Sequence, residues 1–124
     1  MMIETEDWSK LYYAIIRIKA NKTIDILGVG STKMLCRTAT LNNIMESRTQ
    51  ITEDFLHLLE SLDVEKSRKR FFGGCEYAMV YCEAKVYIYG KRYGYNGMLA
   101  VYDPTYREDL VRFAGYRKKP KGVK

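Results

Sequence analysis

The stretch from Ala78 to Ile88 constrains the fold of this chain more than any other segment. Its even-numbered positions are all apolar, whereas the odd-numbered positions from 77 to 89 carry four tyrosines, a methionine, a lysine and a glutamate. A period of two sends the two sets of side chains to opposite faces of a β-sheet. The pattern therefore predicts one long strand, or two strands with a bend, with an apolar core face and a tyrosine-rich face.

Apolar alternation also predicts shorter strands on either side of this segment. Upstream, residues 11–20 and 23–29 have the alternation of two strands joined by a turn. Downstream, the glycine-rich segment 90–97 predicts the turn of a hairpin, and residues 98–103 form its returning strand. We expect these strands to pair in a mostly antiparallel sheet.

Residues 33–41 are compatible with two structures. Thr38 and Thr40 favour a third strand, because β-branched side chains suit a pleated surface. An apolar stripe that continues towards Ser47 is instead typical of a helix. We favour a strand followed by the start of a helix.

Two helices are predicted from apolar stripes that follow good N-terminal caps. Thr52 can cap a helix over residues 52–62, which has acidic residues in its first turn. Asp103, followed by a proline, has the composition of a second helix start, and the stripe that follows predicts a helix over 104–114.

The order of these elements indicates the α+β class, with a mostly antiparallel sheet of about four to five strands and two helices packed on one face. The covered face would be the one made by Ala78, Val80, Val86 and Ile88. The tyrosine-bearing face would then be free. Because a free face of that size is unusual for a monomer, we expect a partner to cover it.

The length of 124 residues fits one domain, which we assign to residues 1–116, followed by a flexible basic tail at 117–124. No apolar run approaches the roughly 20 residues that a membrane helix needs. The acidic, polar segment 1–10 lacks the composition of a secretory signal. We therefore expect a cytoplasmic protein with no membrane partner.

The cysteines do not predict a disulfide framework or a metal site. Cys36, Cys75 and Cys82 are odd in number and contain no Cys-x-x-Cys pair. A zinc site would have to recruit all three together with His57, at spacings that match no familiar zinc motif. We expect buried free thiols in a reducing compartment, a partly buried structural His57, and neither a metal nor a cofactor.

Positive charge is concentrated in the second half of the chain. Residues 1–63 contain 7 Lys/Arg and 9 Asp/Glu, whereas residues 64–124 contain 14 Lys/Arg and 6 Asp/Glu. A polarised distribution of this kind indicates a dedicated basic surface rather than a uniform field. A polyanion, and nucleic acid above all, is the partner that such a surface suits.

Cations and aromatic rings together are what single-stranded nucleic acid binding requires, because cations neutralise phosphates and rings stack on unpaired bases. We predict a non-enzymatic protein that prefers single-stranded DNA or RNA. The stacking rings are predicted to be Tyr81, Tyr87, Tyr89, Tyr93 and Tyr95, and the phosphate-binding cations Lys69, Arg70, Lys85, Lys91, Arg92, Arg117, Lys118 and Lys119. Arg17 and Lys19 would extend the same face if the first strand pairs nearby.

Two alternatives use the same region of the sequence. Tyrosine and arginine are also enriched at protein interfaces, so this face could instead close a homodimer or bind an acidic protein partner, such as a host defence complex. Alternatively, Glu83 and Lys85 match half of a metal-dependent nuclease centre, which would need another acid such as Asp63 or Glu76. No residue is assigned a catalytic role.

Overall fold

The computed structural model describes residues 8–46, 50–64, 69–105 and 109–117, which form an α+β fold with six strands and three helices in these ranges. The strands are β1 (Tyr12–Ile18), β2 (Ile24–Gly30), β3 (Arg70–Phe72), β4 (Cys75–Cys82), β5 (Met98–Tyr102) and β6 (Leu110–Tyr116). The helices are α1 (Lys33–Glu46), α2 (Glu53–Ser61) and α3 (Ala84–Tyr93). None of the helices in the described ranges is both long and apolar enough to span a membrane.

Five of the strands close into a barrel. Antiparallel pairs join β1 to β2, β2 to β5 and β5 to β6, and β6 then runs parallel to the end of β4. The ring closes because β4 also pairs antiparallel with β1, from Tyr12 opposite Cys82 to Ile18 opposite Glu76. The sixth strand, β3, pairs with the beginning of β4. The α+β class is thus confirmed, but the expected open sheet is a closed barrel.

The barrel interior holds one hydrophobic cluster, to which helix α3 contributes at one end. Alternate strand residues point inward, and Ala84, Val86 and Ile88 of α3 belong to the same cluster. The buried strand residues in it are Tyr12, Ala14, Ile16, Ile18, Ile24, Ile26, Val29, Ala78, Val80, Cys82, Met98, Ala100 and Val111. Burial of this apolar surface is the main force that holds α3 against the barrel.

Helices α1 and α2 cover the outside of the barrel over β1, β2 and β4. Ile15, Leu27 and Met79 face outward from these strands and pack with Leu59 and other residues of the α2 region in a second cluster. Arg37 of α1 joins the two helices, because its guanidinium donates to the carbonyl oxygens of Leu59 and Leu62 at 3.3 and 2.7 Å. These central strands are therefore buried on both faces.

The long strand predicted over 78–88 was wrong beyond Cys82, where β4 ends. The Glu83 N–H donates to the carbonyl of Val111, and its carboxylate accepts the N–H of Phe113 at 2.8 Å. The chain then turns into α3 and does not continue along the sheet. Lys91 and Arg92 lie in the last turn of α3, where cations favour a helix. Even-numbered apolar residues stay buried across this change because α3 lies against the barrel interior.

The strand favoured over residues 33–41 was also wrong, because this segment is helix α1. Thr32 begins the helix, with its hydroxyl accepting the N–H of Leu35 at 3.1 Å. Thr40, which favoured a strand, is buried and donates its hydroxyl to the Cys36 carbonyl one turn earlier. At Gly28 an added Cβ would lie 2.4 Å from the Thr40 hydroxyl, so only glycine permits this close approach of α1 to β2.

The helix predicted over 104–114 is wrong in its described part, where residues 104–105 form a turn and β6 begins at Leu110, whereas residues 106–108 lie outside the described residues. The Asp103 carboxylate accepts the N–H of Thr105 at 2.8 Å, which stabilises a turn and does not start a helix. Leu110 and Val111 are buried, and β6 completes the barrel between β5 and β4. The strands over 11–20, 23–29 and 98–103 and the helix over 52–62 are confirmed, although the last strand pairs with β2 and β6 and not with β4.

Candidate nucleic-acid interface

Helix α3 presents cations and tyrosines together on its solvent side. The helix contains three cations and no carboxylate. The N-terminal segment before β1 adds a tryptophan and a lysine close to it. We call this region the α3 surface and define it by Trp8, Lys10, Lys85, Tyr89, Lys91, Arg92 and Tyr93.

The aromatic part of the α3 surface is a chain of edge-to-face contacts. The Tyr89 ring lies 6.4 Å from Trp8 and 5.9 Å from Tyr93, with both pairs close to perpendicular. Tyr89 also packs edge-on against Phe113 of β6 at 5.0 Å. The rings at the two ends are open to solvent, since Trp8 is 52% exposed and Tyr93 36% exposed. They are therefore accessible to a planar ligand.

Tyr87 lies at the edge of the α3 surface, on the side of α3 that also carries Lys91, and has a structural position. Its ring stacks on Tyr12 with centroids 4.1 Å apart and planes only 6° from parallel. The Lys91 ammonium lies over Tyr87 and the Lys10 ammonium over Tyr12, each at 5.1 Å from the ring centroid. The stack thus fixes two cations at the edge of the α3 surface.

The C-terminal end of α3 is held in place by Tyr116 of β6. The Tyr116 hydroxyl lies 3.2 Å from the carbonyl oxygen of Tyr89 and 2.9 Å from that of Gly94. Burial raises the pKa of this hydroxyl to about 12, so it stays protonated and can donate. Tyr116 and Trp8 were not among the residues predicted from the sequence. The pattern before Tyr116 predicts a helix where β6 lies, and segment 1–10, which contains Trp8, is polar in composition.

The remaining predicted stacking residues do not join this surface. Tyr81 is on the outer side of β4, where its ring packs against Tyr13 at 5.5 Å. Tyr95 is half-buried against Gly90, and burial raises the pKa of its hydroxyl. Both rings are occupied by packing inside the protein.

Several predicted phosphate-binding cations are also elsewhere. Lys69 and Arg70 are at β3, with the Lys69 ammonium 6.0 Å from the Tyr102 ring. Arg117 donates its N–H to the Gly97 carbonyl at 2.7 Å. Lys118 and Lys119 lie outside the described residues, as does the basic segment at 65–68.

Three cations surround the buried carboxylate of Asp25 on the outside of the barrel. Arg17, Lys19 and Arg117 approach its oxygens at 3.1, 3.0 and 2.8 Å. Burial alone would raise the pKa of Asp25, but hydrogen bonds from Lys19 and Arg17 and the charge of Arg117 outweigh it and lower the pKa. Arg17 also stands opposite Tyr77 where β1 pairs with β4, so it does extend the tyrosine-bearing face of that strand, but Arg17 and Lys19 are both engaged by this carboxylate.

The residues of the nuclease hypothesis are not arranged as the sequence suggested. Glu83 precedes α3 and Lys85 is in its first turn, so the two do not share a strand. The Glu83 carboxylate accepts a hydrogen bond from the N–H of Phe113, and Asp63 forms an ion pair with Lys33 at 2.9 Å. Glu76 lies near the opposite end of β4 from Glu83.

The cysteines of the zinc alternative are spread over the molecule. Cys36 is a buried residue of α1, Cys82 is inside the barrel, and Cys75 begins β4. Burial raises the pKa of Cys36 to about 12 and that of Cys82 well above its ordinary value, so both thiols stay protonated. His57 is exposed on α2, which corrects the expected partly buried position. Among the described residues, no three His, Cys, Asp or Glu side chains form a cluster that could hold a metal ion.

Two grooves flank the C-terminal half of α1. One, of about 360 Å³, lies between α1 and the end of α3 and has mostly polar walls. The other, of about 250 Å³, lies between α1 and α2 over the outer side of the barrel and includes Phe55, Phe72 and Tyr77. The first groove shares Lys91 and Tyr93 with the α3 surface.

Comparison with known proteins gave no match, whether with protein-family models, with curated proteins or with solved structures. Function is therefore inferred from the chain's own residues.

Proposed function

We propose that this protein binds single-stranded nucleic acid, DNA or RNA, through the α3 surface. The observation that carries the proposal is the combination on α3 of three cations and no carboxylate with the exposed rings of Tyr93 and Trp8. It replaces the sheet face expected from the sequence with a helix surface, and it keeps five of the predicted residues. These are Lys85, Tyr89, Lys91, Arg92 and Tyr93.

The cations would supply affinity that is independent of sequence. Lys85 and Arg92 are exposed and lie two turns apart on α3, so they would contact two phosphates of a strand that runs along the helix. Each phosphate neutralised on a single strand contributes about −0.7 to the slope of log affinity against log salt. Binding through the α3 surface is therefore expected to weaken steeply as salt is raised.

The rings would favour unpaired bases over duplex. Stacking of a base on an exposed aromatic ring is worth about 1–3 kcal/mol, and a paired base cannot offer its face in this way. The inner side of α3 is buried in the barrel cluster through Ala84, Val86 and Ile88. The other side of the helix is therefore the one that is open to a ligand.

Trp8 provides a direct test, because it is the only tryptophan in the chain. Titration with oligo-dT, oligo-U and a matching duplex at low and moderate salt is expected to quench Trp8 fluorescence with a single-strand preference. Binding should weaken at the higher salt concentration. Absence of quenching and of any change in fluorescence anisotropy with a labelled oligonucleotide at low salt would overturn the proposal.

A matched pair of charge changes locates the binding surface. Lys85→Gln is expected to weaken oligonucleotide binding and to reduce the salt slope by about 0.7. Lys22→Gln removes the same charge from the exposed turn between β1 and β2, at the opposite end of β1 from α3, and should have little effect. Equal effects of the two substitutions would show that net charge, and not the α3 surface, determines binding.

A protein-interaction role is the second candidate, and exposed apolar side chains away from α3 favour it. Met34 on α1 is 73% exposed and Phe71 on β3 is 74% exposed. Contact with a second protein would remove these apolar side chains from water, which is favourable. Sedimentation velocity over a range of concentrations would detect a homodimer, and Phe71→Ser should abolish it if β3 forms the contact. A monomer at all concentrations would leave an acidic partner protein as the remaining form of this candidate.

A further inference from the structure

The groove between α1 and the end of α3 has the chemistry of a site for one nucleobase. Its volume is about 360 Å³, which is within the range of small-molecule sites. Its walls carry three carboxamides, one carboxylate, one ammonium and one exposed ring, supplied by Asn42, Asn43, Asn96, Glu46, Lys91 and Tyr93. Carboxamides and carboxylates provide the donors and acceptors that recognise base edges.

The α1 wall of the groove is an ordered row of side chains. Glu46 follows Asn43 by three residues and Asn42 by four, so it lies one helical turn from both. The Asn43 amide nitrogen donates to the Leu27 carbonyl at 2.9 Å, which fixes this side chain in the wall. Asn42 and Glu46, one turn apart, are exposed at the groove.

The groove opens onto the α3 surface. Tyr93 belongs to both, since its ring contacts Tyr89 on the surface and also lines the groove. Lys91 stands at the same border, with its ammonium over the Tyr87 ring. A strand held along α3 can therefore turn one base into the groove while a neighbouring phosphate stays near Lys91.

We propose that this groove binds a guanine base of a strand that lies on the α3 surface, an inference that rests on the proposed function. The Watson–Crick edge of guanine presents two adjacent donors, N1–H and the N2 amino group, beside the O6 acceptor. The Glu46 carboxylate accepts from both donors, and the amide of Asn42 or Asn96 donates to O6. The Tyr93 ring packs on the face of the base.

Other bases match this set of groups less well. Adenine places an acceptor, N1, where guanine places a donor, so one carboxylate oxygen of Glu46 would face a lone pair. Inosine keeps N1–H and O6 but lacks the N2 amino group. It would therefore lose only the hydrogen bond that this amino group donates to the Glu46 carboxylate. Good bidentate pairs discriminate by about 1–3 kcal/mol, so we expect guanine to be preferred over inosine by about tenfold.

The test uses the full chain and an oligo-dT with one central position changed to dG, dA or deoxyinosine, with Trp8 fluorescence at moderate salt as the readout. Tighter binding of the dG strand is expected. In Glu46→Gln the affinities for the dG and deoxyinosine strands should become about equal. Removing a carboxylate near a polyanion raises all affinities together, so the readout is the ratio between strands. Glu60→Gln, an exposed carboxylate on α2, is the matched control and should leave the ratio unchanged.

A second measurement separates failure of the groove from failure of the α3 surface. Titration with guanosine monophosphate, followed by NMR, should shift the side-chain amide signals of Asn42 and Asn96, whereas thymidine monophosphate should not. Oligonucleotide binding with no dG preference and no such shifts would overturn the guanine site but leave the proposed function standing. Shifts with guanosine monophosphate but no oligonucleotide binding would overturn the proposed function and support the groove. Absence of both would overturn both.

Discussion

Tyr87 and Tyr93 are six residues apart on the same helix, and their surroundings assign them different roles. Tyr87 is stacked on Tyr12, whereas Tyr93 is exposed at the end of a chain of rings. From the sequence both were predicted to stack on bases, Tyr87 on one face of a strand and Tyr93 in a glycine-rich turn, and neither pattern distinguishes an enclosed ring from an open one. Only the contacts of each ring separate packing from binding.

Substitution of Tyr87 should therefore affect mainly stability, and substitution of Tyr93 should affect mainly binding. Tyr87→Ala is expected to reduce the free energy of unfolding by about 2 kcal/mol, since it removes a half-buried ring. Tyr93→Ala should change it by less than about 1 kcal/mol, yet weaken oligo-dT binding by about 1–3 kcal/mol. Urea denaturation and Trp8 fluorescence titration measure the two quantities. Loss of binding without loss of stability in Tyr87→Ala would contradict these assignments.

Asp25 makes the stability of the protein depend on acid pH. Its pKa in the folded state is below its ordinary value of 3.8, so the ionised carboxylate stabilises the fold above that value. This stabilisation is lost as the pH falls through the folded-state pKa. Asp25→Asn should lower stability by about 2 kcal/mol at neutral pH, because charge-assisted hydrogen bonds are lost, and should flatten the acid side of the stability profile.

Thermal or urea denaturation from pH 7 down to pH 2 measures this dependence. Glu60→Gln, which removes an exposed carboxylate, should retain the acid-side slope of the unchanged protein. A parallel shift of the Asp25→Asn profile at every pH would mean that other carboxylates determine the acid sensitivity.

Elements whose local signals agreed with their burial were predictable from sequence. In β1 the alternation matches the two faces of a strand, and in α2 the Thr52 cap and apolar stripe coincide, with the Phe55 N–H donated to the Thr52 hydroxyl at 3.2 Å. In contrast, α1 and β6 depend on partners far along the chain. The helix α1 needs the close approach at Gly28, and β6 needs an open position between β5 and β4. Neither condition can be recognised from the residues of the element itself.

The packing of α1 on β2 should be sensitive to a single methyl group. An alanine at position 28 would place its Cβ 2.4 Å from the Thr40 hydroxyl and 2.5 Å from the Thr40 backbone nitrogen. Because the backbone atom cannot move aside by rotation, α1 would have to shift, at a cost of about 1–3 kcal/mol. Urea denaturation of Gly28→Ala measures this cost, and an unchanged midpoint would show that the helix shifts freely.

For the molecule as a whole, the charge distribution of the sequence does not show how the cations are arranged in space. The described cations of the second half divide between α3, the start of β3, Arg112 of β6 and the ion-pair cluster at Asp25, and others lie in the terminal segment beyond residue 117. The composition gives only their total charge. It does not register that Arg117 neutralises a buried carboxylate, while Lys85 faces solvent on α3.

Deletion of residues 118–124 tests the contribution of the terminal segment, which contains four lysines. If these lysines contact phosphates, the deletion should reduce the salt slope by up to about 3 and weaken binding at low salt. Maximal quenching of Trp8 at saturation should be retained, because Trp8 and Tyr89 lie within the fold. An unchanged slope would show that the segment makes no contact with the strand.

Closure of the barrel by its last strand bears on how the protein is made. A nascent chain emerges from its N-terminus, and β4 and β5 reach their common neighbour only when Leu110–Tyr116 has been synthesised. Until then each has an unpaired edge, which is the kind of surface on which incomplete chains aggregate. A translation product that stops before residue 110 would therefore be a target for chaperones and proteases, and not a shorter folded protein.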